Sequence, residues 1–535
     1  MLCMAWVSSC DLLDKDIDTN LDKDTVFSDE RFAAGFLNSS YRELINGFNR
    51  LDGAMFACAS DEAICSYSGS AVHAYNNGAI TPFYNPESEI WNSMYSGIRK
   101  CNVFLRELDS TIKDAGLIDK TAQTQTQYRH MRGEALFLRA LYHFELAKRW
   151  QNIQYVDKVL DEESAKDVPQ LSFAEVIEHI VKDCDDATEY LDIRLESTDY
   201  GRATKMSAMA LKSRALLYLA SPLNNPGNDK ELWKRAADAA NDLMELQGKN
   251  SSAFGLLSAY YTIFTTPYNN EILFATQSDS SNEVELYNNP ISYGGKGYTN
   301  PTQELVDAYE TTKGYPIDDP RSGYDPQNPY KSRDSRMAYT ITYNGLKFAG
   351  TDVETFVGGK DGLNITPTAT KTGYYMRKFI DQNLDLSMGQ TRRRPWIIFR
   401  YAEILLNYAE AMNEYLDAPD DNVYNAINQV RKRAKIPQLN KRMNLTKEEM
   451  RARIHNERRV ELAFEEHRFW DVRRWDETSV FNAPVHGVRI TIDGDKTNYE
   501  YFEVENRVFD SKLRYYPIPQ KEIQKNPALK QNAGW

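Results

Sequence analysis

The chain has little of what a metal centre, a redox site or a membrane span requires. Its 535 residues include six cysteines (Cys3, Cys10, Cys58, Cys65, Cys101, Cys184), with no CxxC pair and no metal-finger spacing. Two fall within the first ten residues, and the four scattered ones read as small apolar packing residues. Seven histidines (His73, His130, His143, His179, His455, His467, His486) lie too far apart to suggest a metal triad. No apolar run reaches the ~18 residues that a membrane-spanning helix needs. HExxH, GxSxG and the phosphate-cradling GxxxxGK are all missing. Basic charge is also short: the net charge is −13 and no long Lys/Arg block occurs, which argues against nucleic acid or anionic lipid as partner and favours neutral or cationic ones.

Tyrosine is abundant instead, with 33 Tyr against 22 Phe and 8 Trp. A Tyr ring has an apolar face and a polar tip and suits half-exposed positions, so most of these rings are expected to pack and a minority in loops to form a recognition surface. Hydrophobic residues at 41% and charged residues at 26% are ordinary for a globular protein. The N-terminus reads MLCMAWVSSC, in which Val7-Ser8-Ser9 before Cys10 is similar to the tail of a bacterial lipoprotein signal peptide, without its basic start. Cys10 is then the expected lipidation site. Asp11, Asp14, Asp16 and Asp18 follow among few core-forming residues, as in a solvated tether. Several acyl chains on one cysteine, at roughly 0.8 kcal/mol per buried CH₂, hold a domain at a membrane.

Apolar residues recur at helical spacing over Glu87–Leu108, Tyr128–Trp150, Phe173–Leu191, Lys205–Leu219, Leu232–Leu246, Ile397–Met412, Val423–Ala434 and Lys447–Trp475. ALFLRAL (Ala135–Leu141) is echoed by ALKSRAL (Ala210–Leu216), in which small Ala residues let a neighbouring helix approach closely. This pattern predicts tetratricopeptide-like helical pairs, with a plain bundle as the alternative. Between about Ser252 and Pro395 the periodicity fades into Gly, Asn, Pro, Thr and Tyr, with short strands expected at Glu271–Thr276 and Met337–Tyr343. A loop-rich stretch of this length is expected to carry function. Val488–Ile492 and Tyr499–Phe502 read as a hairpin.

Several phrases resemble the SusD/RagB family of outer-membrane nutrient-binding lipoproteins. They are CDLLDKD, NNGAITPFYNPESEIWNSMYSGIRKCN, RGEALFLRALYHFELAKRW, PTQELVDAYETTKGYPIDD, SRDSRMAYTI, FRYAEILLNYAEAMNE, IHNERRVELAFEEHRFWDVRRW and YYPIPQKEIQKNPALKQNAGW. They fall in family order over nearly the whole chain. Glu466 departs from the pattern, standing where Gly is frequent, as does Ala533 where Pro is frequent. The resemblance implies a mainly α fold with tetratricopeptide-like pairs as scaffold, a loop-rich ligand region and a few short strands. It also implies a SusC-like TonB-dependent transporter as partner, oligosaccharide or, in some members, peptide as cargo, and a lipid-anchored place on the outer-membrane surface. The division expected on this basis is a signal-peptide remnant over 1–10, an acidic tether over 11–30 and one domain over 31–535. Within it the scaffold occupies about 31–250 and 397–475, the binding region about 252–395, and a hairpin and tail 476–535.

Sugars are held by aromatic rings against their C–H faces, flanked by side chains that hydrogen-bond the hydroxyls. Three clusters offer this mixture: Asp61-Glu62 through Tyr67, Tyr75-Asn76-Asn77 and Phe83-Tyr84; Tyr287-Asn288-Asn289 with Tyr293 and Tyr298; and Tyr374-Tyr375 with Arg377, reaching towards Trp396. The candidate ligand residues are Tyr67, Asn76, Tyr84, Tyr287, Tyr293, Tyr298, Tyr374 and Arg377. Tyr287–Tyr298 is favoured because Gly294, Gly295 and Gly297 leave its rings unshielded. For each ring the alternative is plain packing, and Trp91, Trp470 and Trp475 read as structural. The rival class is a glycoside hydrolase built on Asp61-Glu62, Asp318-Asp319 or Glu465-Glu466, but adjacent carboxylates do not flank one bond at the ~5–9.5 Å that hydrolysis needs. Glu465-Glu466, among Arg458, Arg459, Arg468, Arg473 and Arg474, reads as helix-surface salt bridging. A helical scaffold that binds only protein is the third class. The expectation is therefore a non-enzyme that binds glycan without cofactor or metal.

Overall fold

The computed structural model describes residues 26–27, 29–114, 122–193, 200–267 and 269–535. Cys10, the 1–10 segment and most of the 11–30 tether lie outside these residues. The long helices are α1 (Glu30–Tyr41), α2 (Ser88–Asp114), α3 (Ala122–Trp150), α4 (Phe173–Tyr190), α5 (Lys205–Ala220), α6 (Lys230–Lys249), α7 (Tyr401–Tyr415), α8 (Asp421–Arg433) and α9 (Lys447–Glu461). Three of them start where the sequence places a reciprocal cap: Ser172 with Glu175, Thr204 with Ser207, and Thr446 with Glu449. Consecutive helices from α2 to α6 pack side by side, and α6 then packs on α7, which packs on α8 and α9. The result is a stack of tetratricopeptide-like pairs, interrupted in sequence but not in space by the irregular segment.

The echoed phrases occupy equivalent places in this stack. Arg139 of α3 donates from Nε and Nη2 to Asp183 of α4 at 2.8 and 2.6 Å. Arg214 of α5 donates in the same forked manner to Glu403 of α7 at 2.7 and 2.6 Å. All four side chains are buried. The shared arginine, and not only the small alanines, is therefore what the repeat places at the helix–helix seam: a bidentate clasp between neighbours.

Several boundaries differ from the periodic reading. Ile397–Arg400 is a strand, because it pairs antiparallel with Ile272–Ala275 (Ile397↔Ala275, Arg400↔Ile272), and helix α7 starts only at Tyr401. That ladder fastens the two ends of the irregular segment together. Met337–Tyr343 is mostly helical: Ser335–Thr340 is capped by the Asp334 side chain, and only Ile341–Thr342 is extended. Lys447–Trp475 is broken between α9 and Arg468–Arg474, since Phe464 (φ +63) and Glu466 (φ +62) are left-handed and cannot continue a helix. The hairpin exists and is longer than expected, Val485–Asp493 against Lys496–Glu505.

The irregular segment is anchored by buried charge. Arg400 bonds Glu461 at 2.7 Å and Glu271 at 3.0 Å through Nη1, and Glu465 at 2.7 Å through Nε. Arg336 bonds Asp334, Glu457 and Glu461 at 2.6–2.8 Å, and Lys378 bonds Glu465 at 2.7 Å. Glu465, read from sequence as part of a surface salt bridge, is thus an interior anchor. Lys378 is held down to about 8 by burial, with the Glu465 carboxylate opposing the shift. The cysteines Cys58, Cys65, Cys101 and Cys184 are free and buried, as packing residues are. No helix of the described residues is long and apolar enough to cross a membrane.

Candidate functional site

Strand pairing builds the site. Ala63–Cys65 runs antiparallel to Thr299–Pro301 (Ala63↔Pro301, Cys65↔Thr299), and the ladder continues as Ser66 N–H donates to the Tyr298 carbonyl at 3.0 Å. The Ser66 hydroxyl fastens the same corner to the Gly297 and Thr368 carbonyls at 2.9 and 2.6 Å. Tyr298 N–H in turn donates to the Tyr287 carbonyl at 2.8 Å. Residues more than two hundred positions apart in sequence are thereby fixed side by side.

Their rings form a stack. Tyr67 lies over Tyr298 with centroids 5.0 Å apart and planes within 8°, and Tyr298 meets Tyr287 at 5.5 Å and 41°. The ammonium of Lys296 sits 4.5 Å from the Tyr287 centroid and 5.6 Å from that of Tyr298, a cation–π arrangement that enriches the patch in charge. Gly53 (φ +88) forms the floor, where an added Cβ would fall 2.5 Å from Tyr287 and 2.9 Å from Tyr298. Tyr67 is the outermost ring at 37% exposed, while Tyr298 is covered to 8%. Asp52, next to Gly53 in the chain, accepts from the Ala71 N–H at 2.8 Å, and a ring nitrogen of His73 lies 2.9 Å from the Tyr67 carbonyl.

The structure therefore joins two of the sequence clusters through Tyr67, Tyr287 and Tyr298, but not as the sequence suggested. Tyr298 is a supporting ring under Tyr67 and not an unshielded one. The glycines serve close packing: a Cβ on Gly295 would meet the Asn289 carbonyl oxygen at 2.1 Å, and one on Gly297 would meet the Tyr375 ring at 2.6 Å. Tyr293 is half-buried against Phe348 at 4.7 Å, and its hydroxyl bonds Thr351 Oγ1 at 2.7 Å.

Other candidates lie elsewhere. Asn76 is buried and donates to the Cys58 carbonyl at 3.0 Å, so it presents nothing to a ligand. Tyr374 is likewise interior, its hydroxyl donating to Gln303 Oε1 at 2.7 Å. Tyr375 and Trp396 are buried too, Trp396 standing edge-on to Phe48 at 5.0 Å. These rings fill interior volume, with Tyr hydroxyls satisfied by internal acceptors. Tyr84 is 50% exposed and Phe83 more so, on a turn whose Pro82 carbonyl accepts from Gln520 N–H of the C-terminal segment. Arg377 is half-buried, and its Nη2 donates to Gln382 Oε1 at 2.9 Å. Sequence reasoning missed Tyr339, the exposed ring beside Tyr261 at 5.9 Å, because it falls inside a stretch read as strand. Trp91, Trp470 and Trp475 are buried.

The Asp61-Glu62 pair is held in the interior. Asp61 is held well below the ordinary carboxylate range by Arg459 and Arg468, against the desolvation of its burial, and Glu62 is pushed up to about 8 by burial and by Asp61. Such a split is what an acid–base pair shows. Both groups are buried, however, and Arg468 grips Asp61 in a fork at 2.8 and 2.9 Å. Among the described residues no group of three or more His, Cys, Asp or Glu side chains is placed to hold a metal ion.

Comparison with known proteins agrees with this architecture. A SusD-like protein from Bacteroides fragilis superposes with a TM-score of 0.81 at 29% identity, covering 96% of this chain and 98% of that one. A SusD-like carbohydrate-binding protein from the same organism gives 0.78 at 28% identity, over 95% and 100% of the two chains. A SusD-like protein of Formosa agariphila is 24% identical over 461 residues, 83% of this chain and 78% of its own length. Residues 11–219 match a family described as starch-binding associating with outer membrane, and residues 258–535 match the SusD family. With its C-terminal half matched by that family and its whole fold shared with SusD-like structures, the chain belongs to the SusD family.

Proposed function

We propose that this protein binds oligosaccharide without transforming it, at the surface of the outer membrane, and passes it to a SusC-like TonB-dependent transporter. The observation that carries this reading is the Tyr67–Tyr298–Tyr287 stack: a partly exposed ring, backed by a second ring at 5.0 Å, with Lys296 over the two inner rings and His73 against the Tyr67 carbonyl. A sugar lying on Tyr67 covers its axial C–H groups with the ring and leaves its hydroxyls at the edge. A sugar held on one partly exposed ring stays largely in water, so binding is modest in strength and wet. A lipid on Cys10 would tether the domain through the residues that follow it. The tether ends before the expected residue 30, because Phe27 is buried against Phe36 and Phe104 and Asp29 caps the first helix.

Membership of the SusD family and the likeness to a carbohydrate-binding relative support the ligand class. Burial of Asp61-Glu62 and Glu465 supports the absence of hydrolysis. Electrophoresis through native gels containing embedded polysaccharides tests both parts. Retardation by at least one polysaccharide, with no release of reducing ends, is the expected result. Release of reducing ends would mean a hydrolase, and unretarded migration in every gel would leave only a protein-binding scaffold.

A further inference from the structure

Among the described residues, most buried arginines are paired with acids or turned to backbone carbonyls. The interior guanidiniums of Arg50, Arg139, Arg214, Arg336, Arg400 and Arg474 each face a carboxylate. Arg333 and Arg473 lack one but turn their N–H groups to backbone carbonyls. Arg377 does neither. Its side chain has a single hydrogen bond, from Nη2 to the neutral amide of Gln382 at 2.9 Å, and no carboxylate pairs with it among the described residues. The nearby acid, Asp381, is already held by Arg392, whose other nitrogen bonds the Thr265 carbonyl at 2.9 Å.

The surroundings of Arg377 are aromatic and polar. Its backbone N–H donates to the Thr340 carbonyl at 2.9 Å, which places it beside Tyr339. Tyr339 is exposed and pairs with half-buried Tyr261 at 5.9 Å, and Tyr343 stacks on Tyr330 at 4.3 Å. Partial burial lowers the guanidinium's affinity for its proton, with Tyr343, Tyr261 and Tyr339 opposing the shift. A half-desolvated cation with donors to spare, among hydroxyls, is stabilised by an anion of fork-matching shape. The location also fits: Tyr375–Met376 packs beside Thr299–Pro301, the strand that carries the tyrosine stack.

We propose that Arg377, with Tyr261 and Tyr339, forms a subsite for the acidic group of a charged saccharide, a uronate carboxylate or a sulfate ester. This rests on the glycan-binding reading above and sharpens its ligand class. It runs against the overall charge of −13, which repels anions at long range, so recognition must be local to this one guanidinium.

The test is a glycan array carrying neutral, uronate-containing and sulfated oligosaccharides, read with the full chain, with Arg377→Gln and with Tyr339→Ala. Acidic members are expected among the glycans retained by the wild type, with affinity that falls as NaCl is raised. Arg377→Gln is expected to lose about tenfold or more on those members and little on neutral ones, a size set by loss of a charge-assisted contact. Whether uronate or sulfate members respond identifies the acid group. Retention of neutral glycans alone, or acidic binding unchanged in Arg377→Gln, overturns the subsite while leaving glycan binding intact. Retention of nothing overturns both. Should Arg377→Gln fail to fold, Tyr339→Ala and the salt dependence of the wild type decide, salt-independent binding being contrary to the proposal.

Discussion

Glu62 shows how far single residues here are set by their neighbours. Its carboxyl is buried, one oxygen has no hydrogen-bond partner, and burial with Asp61 pushes it up to about 8 while Arg468, Arg459 and Lys378 pull the other way. The folded chain therefore keeps a proton that the unfolded chain releases from its ordinary 4.5 upward. The stability that this proton confers is intact below pH 4.5 and is lost progressively as pH rises to about 8. Within that window a tenfold fall in proton concentration costs ~1.4 kcal/mol. Glu62→Gln is expected to melt with the wild type at pH 4.5 and increasingly above it towards pH 8; parallel melting curves across that range would count against it. Glu466 is a second case. It departs from the family resemblance noted in the sequence, which places Gly here, and it adopts φ +62, the conformation that Gly takes without strain. What it gains is an ion pair to Arg50 at 2.7 Å. The departure was visible in the sequence, but its meaning was not, because Arg50 lies more than four hundred residues away.

Between elements, the arginine clasps set the spacing of the helical stack. Arg214→Ala is expected to cost about 3 kcal/mol or more in urea unfolding, since it strands the buried Glu403 carboxylate. Replacing both partners by leucine is expected to recover most of that loss, because no charge is then left without its counterpart. Equal destabilisation of the single and double variants would mean that the pair does not act as a clasp. The helices α2 to α6 were legible because their periodicity is local, and α4 to α6 also carry caps adjacent in sequence. The strand Ile397–Arg400 was not: Ile397 and Tyr401 are four apart, as on a helix face, and only pairing with Ile272–Ala275 makes the first of them extended. The break after Glu461 was hidden for a related reason, since neither left-handed residue there is a glycine.

At the scale of the whole molecule, a helical stack carries a long irregular excursion that is itself densely packed. Tyr309, Tyr374 and Tyr375 are fully buried within it, and Arg336 and Lys378 bind it to acidic residues of and beyond α9. Composition led to the expectation that most tyrosines pack and a minority form a surface, and these three rings pack alongside the buried aliphatic residues of the segment, such as Leu305, Val306, Ile341 and Ile380. The surviving site is small, and its three rings were named from sequence without the pairing of Ala63–Cys65 with Thr299–Pro301 that unites them. Titration of one retained oligosaccharide into the wild type and into Tyr67→Ala tests this account most directly. Removal of the outer ring is expected to weaken binding by roughly tenfold, the worth of one aromatic contact, with the melting temperature unchanged. Equal affinity of the two proteins would contradict it.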